Sequence, residues 1–252
     1  MNPVLVLFAS MLICMLVIPL MHRLAPYLRM LDEPGERKVH QQPIARVGGF
    51  GIVLGAAAPL LLWLTTHPAL VWFLFGAAVL LVFGAVDDRY NISHYYKFIG
   101  QLIAVVPLVT LGDVYIDRLP LLAGVEVAPW IGQALTVFAI VGMINAMNHS
   151  DGLDGLAGGE ALLSLIAMCF LAYAFLGSVG PTPIAGMDSA VVTGVVALVL
   201  GTAAIGGVLG FLRYNTHPAR VFMGDTGSQF LGFSVGFIAV LMVTRVDRDL
   251  SP

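Results

Sequence analysis

Fifteen acidic residues are spread along a 252-residue chain, and three groups of them sit where a carboxylate is costly or goes unneutralised. Asp87-Asp88 ends an apolar run. The pair therefore closes a helix at its C-terminus, where the macrodipole is already negative and each charge is disfavoured by about 0.3–1 kcal/mol. Two adjacent acids in such a place point to a cation that offsets them. The second group reads N-A-M-N-H-S-D-G-L-D-G-L-A-G-G from Asn145 to Gly159. Asn145, Asn148, Asp151 and Asp154 recur every third residue, which keeps neighbours on adjoining faces wherever the backbone is helical. No Lys or Arg in that stretch neutralises its aspartates. The third group reads R-Y-N-T-H-P-A-R-V-F-M-G-D-T-G-S from Arg213 to Ser228. Its end, from Gly224 through Asp225, opens an apolar helix whose free N–H groups and positive dipole end suit a phosphate. Asp225 as a plain N-cap is the alternative.

A fourth stretch, D-E-P-G-E-R-K-V-H-Q-Q-P-I-A-R-V-G-G from Asp32 to Gly49, brings the cations. Arg37, Lys38, His40 and Arg46 suit phosphate oxygens; the alternative is an ordinary positive flank of a membrane span. Asp32 reads as a solvated loop acid. Carboxylates with Arg and Lys at helix ends match Mg²⁺, which takes one or two carboxylates and shares its shell with water and phosphates. No Walker A motif is present, which argues against ATP hydrolysis. The six histidines form no H-E-x-x-H or close pair, so a zinc site is not expected. Cys14 and Cys169 lie inside apolar runs and read as small buried residues rather than as a disulfide framework.

The elements that position these residues follow from composition. The chain is 59% apolar and 11% charged, with a mean hydropathy of +0.93. Soluble domains carry about 25% charged residues, so a soluble enzyme, a disordered chain and a secreted disulfide scaffold are excluded. The expected class is an all-α polytopic membrane protein, a single domain over 1–252. About eight transmembrane helices are expected, near 3–21, 48–63, 69–86, 97–111, 129–146, 156–176, 188–212 and 226–243. Alternating residues in 112–128 suggest a small hairpin. Arg23, Arg29, Arg37, Lys38, Arg46, Arg89, Lys97, Arg213 and Arg220 fall on one side; Arg118, Arg245 and Arg248 fall on the other. By the positive-inside rule the first side is cytoplasmic and the N-terminus periplasmic. Asp87, Asp151 and Asp225 are then expected to converge at the cytoplasmic helix ends. Nothing marks a nucleic-acid partner, and a homodimer is left open.

Asp87-Asp88, N-x-x-N-x-x-D-G-x-D-G at 145–155 and N-x-H-P-A-R-V-F-M-G-D-x-G-S at 215–228 stand in this order along the chain. With them the sequence resembles the polyprenyl-phosphate N-acetylhexosamine-1-phosphate transferases (glycosyltransferase family 4), from about Asp32 to about Val243. The run R-K-V-H-Q-Q-P-I-A-R-V-G-G looks like the WecA/TagO branch, which uses UDP-N-acetylglucosamine and undecaprenyl phosphate. It looks less like the peptidoglycan branch. The resemblance implies an enzyme of the bacterial inner membrane with Mg²⁺ as cofactor, Mn²⁺ being a substitute. The reaction implied is transfer of N-acetylglucosamine-1-phosphate to undecaprenyl phosphate with release of UMP, feeding a cell-envelope glycan. It implies Asp225 and Asn148 as metal ligands and Asp87, supported by Asp88, as base or orienter for the lipid phosphate. By the same resemblance, Asn148, Asp151 and Asp154 would hold nucleotide and metal-bound groups, Phe222 would stack on uracil, Asn215 would contact the nucleotide and Arg220 would meet the diphosphate.

Family members continue with further spans and a His-x-His-His loop, whereas this sequence stops at Pro252. From that departure, binding with little turnover is expected of these 252 residues. An inactive fragment that binds nucleotide or lipid is one alternative. A small transporter is the other, disfavoured because transporters place charges near the midplane.

Overall fold

The structure is a computed structural model that describes residues 2–34, 42–63, 68–119, 125–179 and 189–246. Eight helices form among the described residues: α1 (Pro3–Leu28), α2 (Gly48–Trp63), α3 (Pro68–Tyr90), α4 (His94–Thr110), α5 (Pro129–Ser150), α6 (Leu156–Val179), α7 (Ser189–Asn215) and α8 (Gly224–Val246). Their starts follow local rules. Asn2 caps α1 by accepting the Val4 N–H at 2.9 Å, and Pro3 and Pro129 occupy first-turn positions where no N–H is needed. Six of them, α1, α3, α5, α6, α7 and α8, are long and apolar enough to cross a membrane. With α2 and α4 shorter, at 16 and 17 residues, the protein is an all-α polytopic membrane protein.

Every expected span is a helix, but several helices outrun their apolar stretches. α3 continues through Asp87-Asp88 to Tyr90, and α5 continues to Ser150. Hydropathy marks bilayer thickness, whereas i→i−4 bonding continues until a residue breaks it. At the end of α3 the break is Asn91, with φ 51°, whose N–H holds the Asp87 carbonyl at 2.7 Å.

α7 and α8 form the centre. Their membrane stretches are 72% and 83% buried, against 22% for α1, whose Leu12, Leu16, Leu20 and Leu24 face outward. α3 and α5 flank α8, and α1, α2 and α6 pack around α7. Phe73 of α3 stacks on Phe233 and Phe237 of α8, with ring centroids 5.0 and 5.2 Å apart. About one turn before the acidic pair, α3 and α8 approach to backbone contact: a Cβ on Gly84 would lie 2.5 Å from the Thr226 Cα.

Five short strands also form among the described residues. β1 (Leu31–Asp32) runs antiparallel to β2 (Ile44–Arg46), which runs parallel to β5 (Val221–Phe222). This sheet, not foreseen in the sequence, sets Arg46 beside Phe222. β3 (Arg118–Leu119) and β4 (Val125–Glu126) make the expected hairpin, with Arg118 Nη2 2.9 Å from Glu126 Oε1.

The glycine contact yields a test. Gly84→Ala inserts a methyl into a closed helix interface and should cost about 1–3 kcal/mol. Gly142→Ala, with nothing within 4 Å of its Cβ position, should be neutral or stabilising. Thermal denaturation in detergent distinguishes them, and equal midpoints would contradict the close approach.

Candidate active site

The site is built on the first turn of α8. Asp88, from the last turn of α3, accepts the Asp225 N–H on Oδ1 at 2.8 Å. Its Oδ2 accepts the Thr226 N–H at 3.1 Å and the Thr226 hydroxyl at 2.8 Å. The cap of α8 thus comes from another helix, and Asp88 is only 7% exposed. Gly224 makes room for it. Its φ is +71°, and a Cβ there would lie 2.6–2.7 Å from the Asp88 carboxylate oxygens. Two sequence expectations are corrected here. The Asp225 and Thr226 N–H groups of α8 are not open to a phosphate, because Asp88 takes them. Asp225 is not the cap either; its own N–H is capped.

The Asp225 side chain is left to face Asp87. Lys97 Nζ, from the first turn of α4, lies 2.6 Å from Asp225 Oδ2 and 2.7 Å from Asp87 Oδ2. Gln229 Nε2 approaches Asp225 Oδ2 at 3.4 Å. Asp87 Oδ1 and Gln229 Oε1 are buried with no hydrogen-bond partner. Such atoms cost about 1–3 kcal/mol each unless a water, an ion or a ligand group meets them.

α5 supplies the next side chains. Asn145 exchanges amide contacts with Gln101 of α4 and so aligns the two helices. One turn on, Asn148 Nδ2 donates to Ser228 Oγ at 2.9 Å, and its amide also interacts with Asp225. Beyond the end of α5, burial first and the charge of Asp225 second push the Asp151 carboxyl up to about 7, against a smaller lowering by Arg46. Asp87, Asp151 and Asp225 therefore do converge on one end of the bundle.

Asp154 and Asn215 do a different job from Asp87. Asp154 Oδ2 accepts the Ala219 N–H at 3.0 Å and meets His217 Nδ1 at 2.9 Å. Asn215 accepts the Gly155 N–H and donates to the Val221 carbonyl, both at 2.9 Å. Together they lock the glycine-rich turn after α5 to the segment entering β5. Phe222, half-buried, lies beside Arg46 in the sheet, and Arg220 is exposed, its N–H donating to the Tyr214 carbonyl. Arg46 is ion-paired with Asp32. Asp32 is buried, not a solvated loop acid, because it sits in β1 directly across from the strand that carries Arg46. Arg37, Lys38 and His40 lie outside the described residues.

Among the described residues, no three His, Cys, Asp or Glu side chains stand together as a metal cage. The set that is present, one partly exposed carboxylate on Asp225 beside the Asn148 amide, is small and all hard oxygen. It fits Mg²⁺, which completes its shell with water and phosphate, and not Zn²⁺.

Sequence reasoning counted Lys97 only as a loop charge and missed Thr226 and Gln229. A signal for Lys97 existed: it is the lone Lys, Arg, Asp or Glu in α4, and an isolated charge in an apolar helix needs a partner.

A family model for glycosyl transferase family 4 matches residues 70–243, which include Asp87, Asp88, Asp151, Asp154 and Asp225 but not Asp32. The chain belongs to this family. Family 4 relatives include a "Probable undecaprenyl-phosphate N-acetylglucosaminyl 1-phosphate transferase" of Bacillus subtilis, 35% identical over 234 residues, 92% of this chain and 61% of that protein. The "Decaprenyl-phosphate N-acetylglucosaminephosphotransferase" of Mycolicibacterium smegmatis is 34% identical over 81% of this chain and 51% of its own length. The "Phospho-N-acetylmuramoyl-pentapeptide-transferase" of Chlamydia muridarum is also 34% identical, over 84% of this chain and 64% of that protein. The chain thus spans between about half and two-thirds of the lengths of these family 4 relatives.

Two outcomes follow. Asp88→Asn replaces an acceptor facing the α8 N–H groups by a donor and should cost about 1–3 kcal/mol of stability; Glu160→Gln, on an exposed side chain, should cost little. Equal melting temperatures would remove Asp88 as the cap. Asp151, raised to about 7, holds a proton in the folded chain that the unfolded carboxyl loses near pH 4. Its contribution to stability without divalent cations should therefore fall as pH rises from about 4 through about 7 and level off above about 8. Asp151→Asn should flatten that slope, and an unchanged slope would contradict the assignment.

Proposed function

We propose that this chain carries the catalytic centre of an enzyme that transfers N-acetylglucosamine-1-phosphate from UDP-N-acetylglucosamine to undecaprenyl phosphate. A phosphate oxygen of the lipid attacks the sugar-bearing phosphorus of the donor. The bond from that phosphorus to the bridging oxygen breaks, UMP leaves, and the sugar becomes lipid-linked through a diphosphate. The observation that carries this reading is the meeting of Asp87, Lys97, Asn148 and Asp225 at the ends of four helices.

Attack of one phosphate on another brings anions together, so the site must supply positive charge where the new bond forms. Asp225 and Asn148 would hold Mg²⁺ (or Mn²⁺ in its place), which would supply much of that charge. Asp87 turns its unpartnered Oδ1 to the lipid phosphate, orienting it or taking its proton. Asp88 keeps Asp225 aimed at the donor by capping α8. Asp151 holds groups of the donor beside Asp225. Asp154 and Asn215 fix the segment that leads to Phe222, which stacks on the uracil. Arg46, steadied by Asp32, meets the diphosphate together with Arg220 and with Arg37, Lys38 and His40 of the same loop.

The lipid acceptor stays in the bilayer, and its head group reaches helix ends, where these residues lie. The setting proposed is the bacterial inner membrane, with the site cytoplasmic and the N-terminus periplasmic, as the loop charges favour. N-acetylglucosamine is preferred over a muramoyl-peptide donor on the R-K-V-H-Q-Q-P-I-A-R-V-G-G run, shared in kind with the N-acetylglucosaminyl branch.

The test measures UDP-N-acetylglucosamine binding beside lipid-linked product. Asp87→Asn should keep binding and cut product per bound donor by about 10²-fold or more. Phe222→Ala should weaken binding by about 1–2 kcal/mol through lost stacking. If Asp87→Asn loses binding yet keeps turnover per bound donor, the role given to Asp87 is wrong. If a muramoyl-peptide donor binds and UDP-N-acetylglucosamine does not, the sugar is wrong.

A further inference from the structure

Lys97 is placed as a bound cation would be. Its ammonium bridges two carboxylates from different helices, 2.7 Å from Asp87 Oδ2 and 2.6 Å from Asp225 Oδ2. Asp87 is only 4% exposed, so water cannot do this work, and two carboxylates sharing one site repel each other strongly unless a positive charge lies between them. The surroundings hold more acceptors than the ammonium uses. Asp87 Oδ1 and Gln229 Oε1, both buried, accept nothing. An ammonium offers three donors on one flexible stem. Surplus hard oxygens around it suit a cation of higher charge and coordination number.

We propose that Lys97 is a resident counter-ion, standing between Asp87 and Asp225 in place of the divalent cation, and that cation binding displaces its ammonium from Asp225. The proposal rests on the metal reading given above. Before a cation arrives, Lys97 keeps the two acids together and the capped mouth of α8 closed against α3. When one arrives, the freed ammonium becomes available to incoming phosphate oxygens, so positive charge for the substrates appears only once the metal site is filled. Lys97 is in this sense a positioning residue for the acids and a competitor of the metal.

Competition makes a prediction that a plain structural salt bridge does not. Removing the ammonium should weaken the cation-free protein and strengthen its hold on the cation. The chain in nanodiscs is titrated with Mg²⁺ alone, without nucleotide, as the unsubstituted form and as Lys97→Met, and the melting temperature is followed. Expected is a lower melting temperature for Lys97→Met without Mg²⁺, together with Mg²⁺ binding at least about tenfold tighter, since no ion pair has to break first. A destabilised variant with unchanged or weaker Mg²⁺ affinity overturns the proposal.

A second measurement needs no variant. The chain has two lysines, Lys38 and Lys97, so amine-reactive labelling can be read separately for each. Mg²⁺ should raise the labelling rate of Lys97 relative to Lys38, and an unchanged or lower rate overturns displacement. No Mg²⁺ response in either form overturns the metal reading itself, and this inference with it. An equal Mg²⁺ affinity in both forms overturns the inference alone.

Discussion

One carboxylate joins the two halves of the site. Asp88 of α3 takes the first N–H groups of α8, so the negative end of one helix meets the positive end of another. This explains how an acidic pair survives at a helix C-terminus: the dipole of α8 offsets the dipole of α3. The contact leaves no slack. Gly84 lets the backbones touch, and Gly224 leaves space where any Cβ would strike the Asp88 oxygens. With the first turn of α8 fixed, the Asp225 side chain faces Asp87, and α4 brings Lys97 between them.

Around that fixed turn, polar ties converge from elements distant in sequence. Asn148 reaches Ser228 from α5, and Asp154 and Asn215 bind the glycine-rich turn to the approach to β5. The three-stranded sheet couples Asp32, Arg46 and Phe222, so strands from either side of α2 and α7 are tied together just before α8. α8 itself carries Thr226, Ser228, Gln229 and Ser234 within the most buried of the membrane helices. Its polar residues are tolerated because protein, not lipid, surrounds them. The apolar stripe of α1 has the opposite situation and needs no polar partner.

Much of this was legible in the sequence. Long apolar runs gave all eight helices, and acids at their ends gave Asp87, Asp151 and Asp225 as one cluster. What stayed hidden depends on partners far away in the chain. The cap of α8 lies 137 positions before the residue it caps, so local spacing pointed to open N–H groups that are in fact taken. Strands of two or three residues carry no period, so the sheet left no trace and Asp32 looked solvated. Lys97 looked like one more positive-inside charge, because a count of loop charges does not ask which of them is half-buried.

In the proposed function, the mouth formed by α3, α4, α5 and α8 receives the nucleotide sugar. The most direct measurement is photocrosslinking of a photoreactive UDP-N-acetylglucosamine analogue to the membrane-embedded chain, followed by peptide mapping. Adducts are expected in 145–155 and 213–228, suppressed by unlabelled UDP-N-acetylglucosamine. Adducts confined to the hairpin end of the bundle, around Arg118 and Glu126, would contradict it.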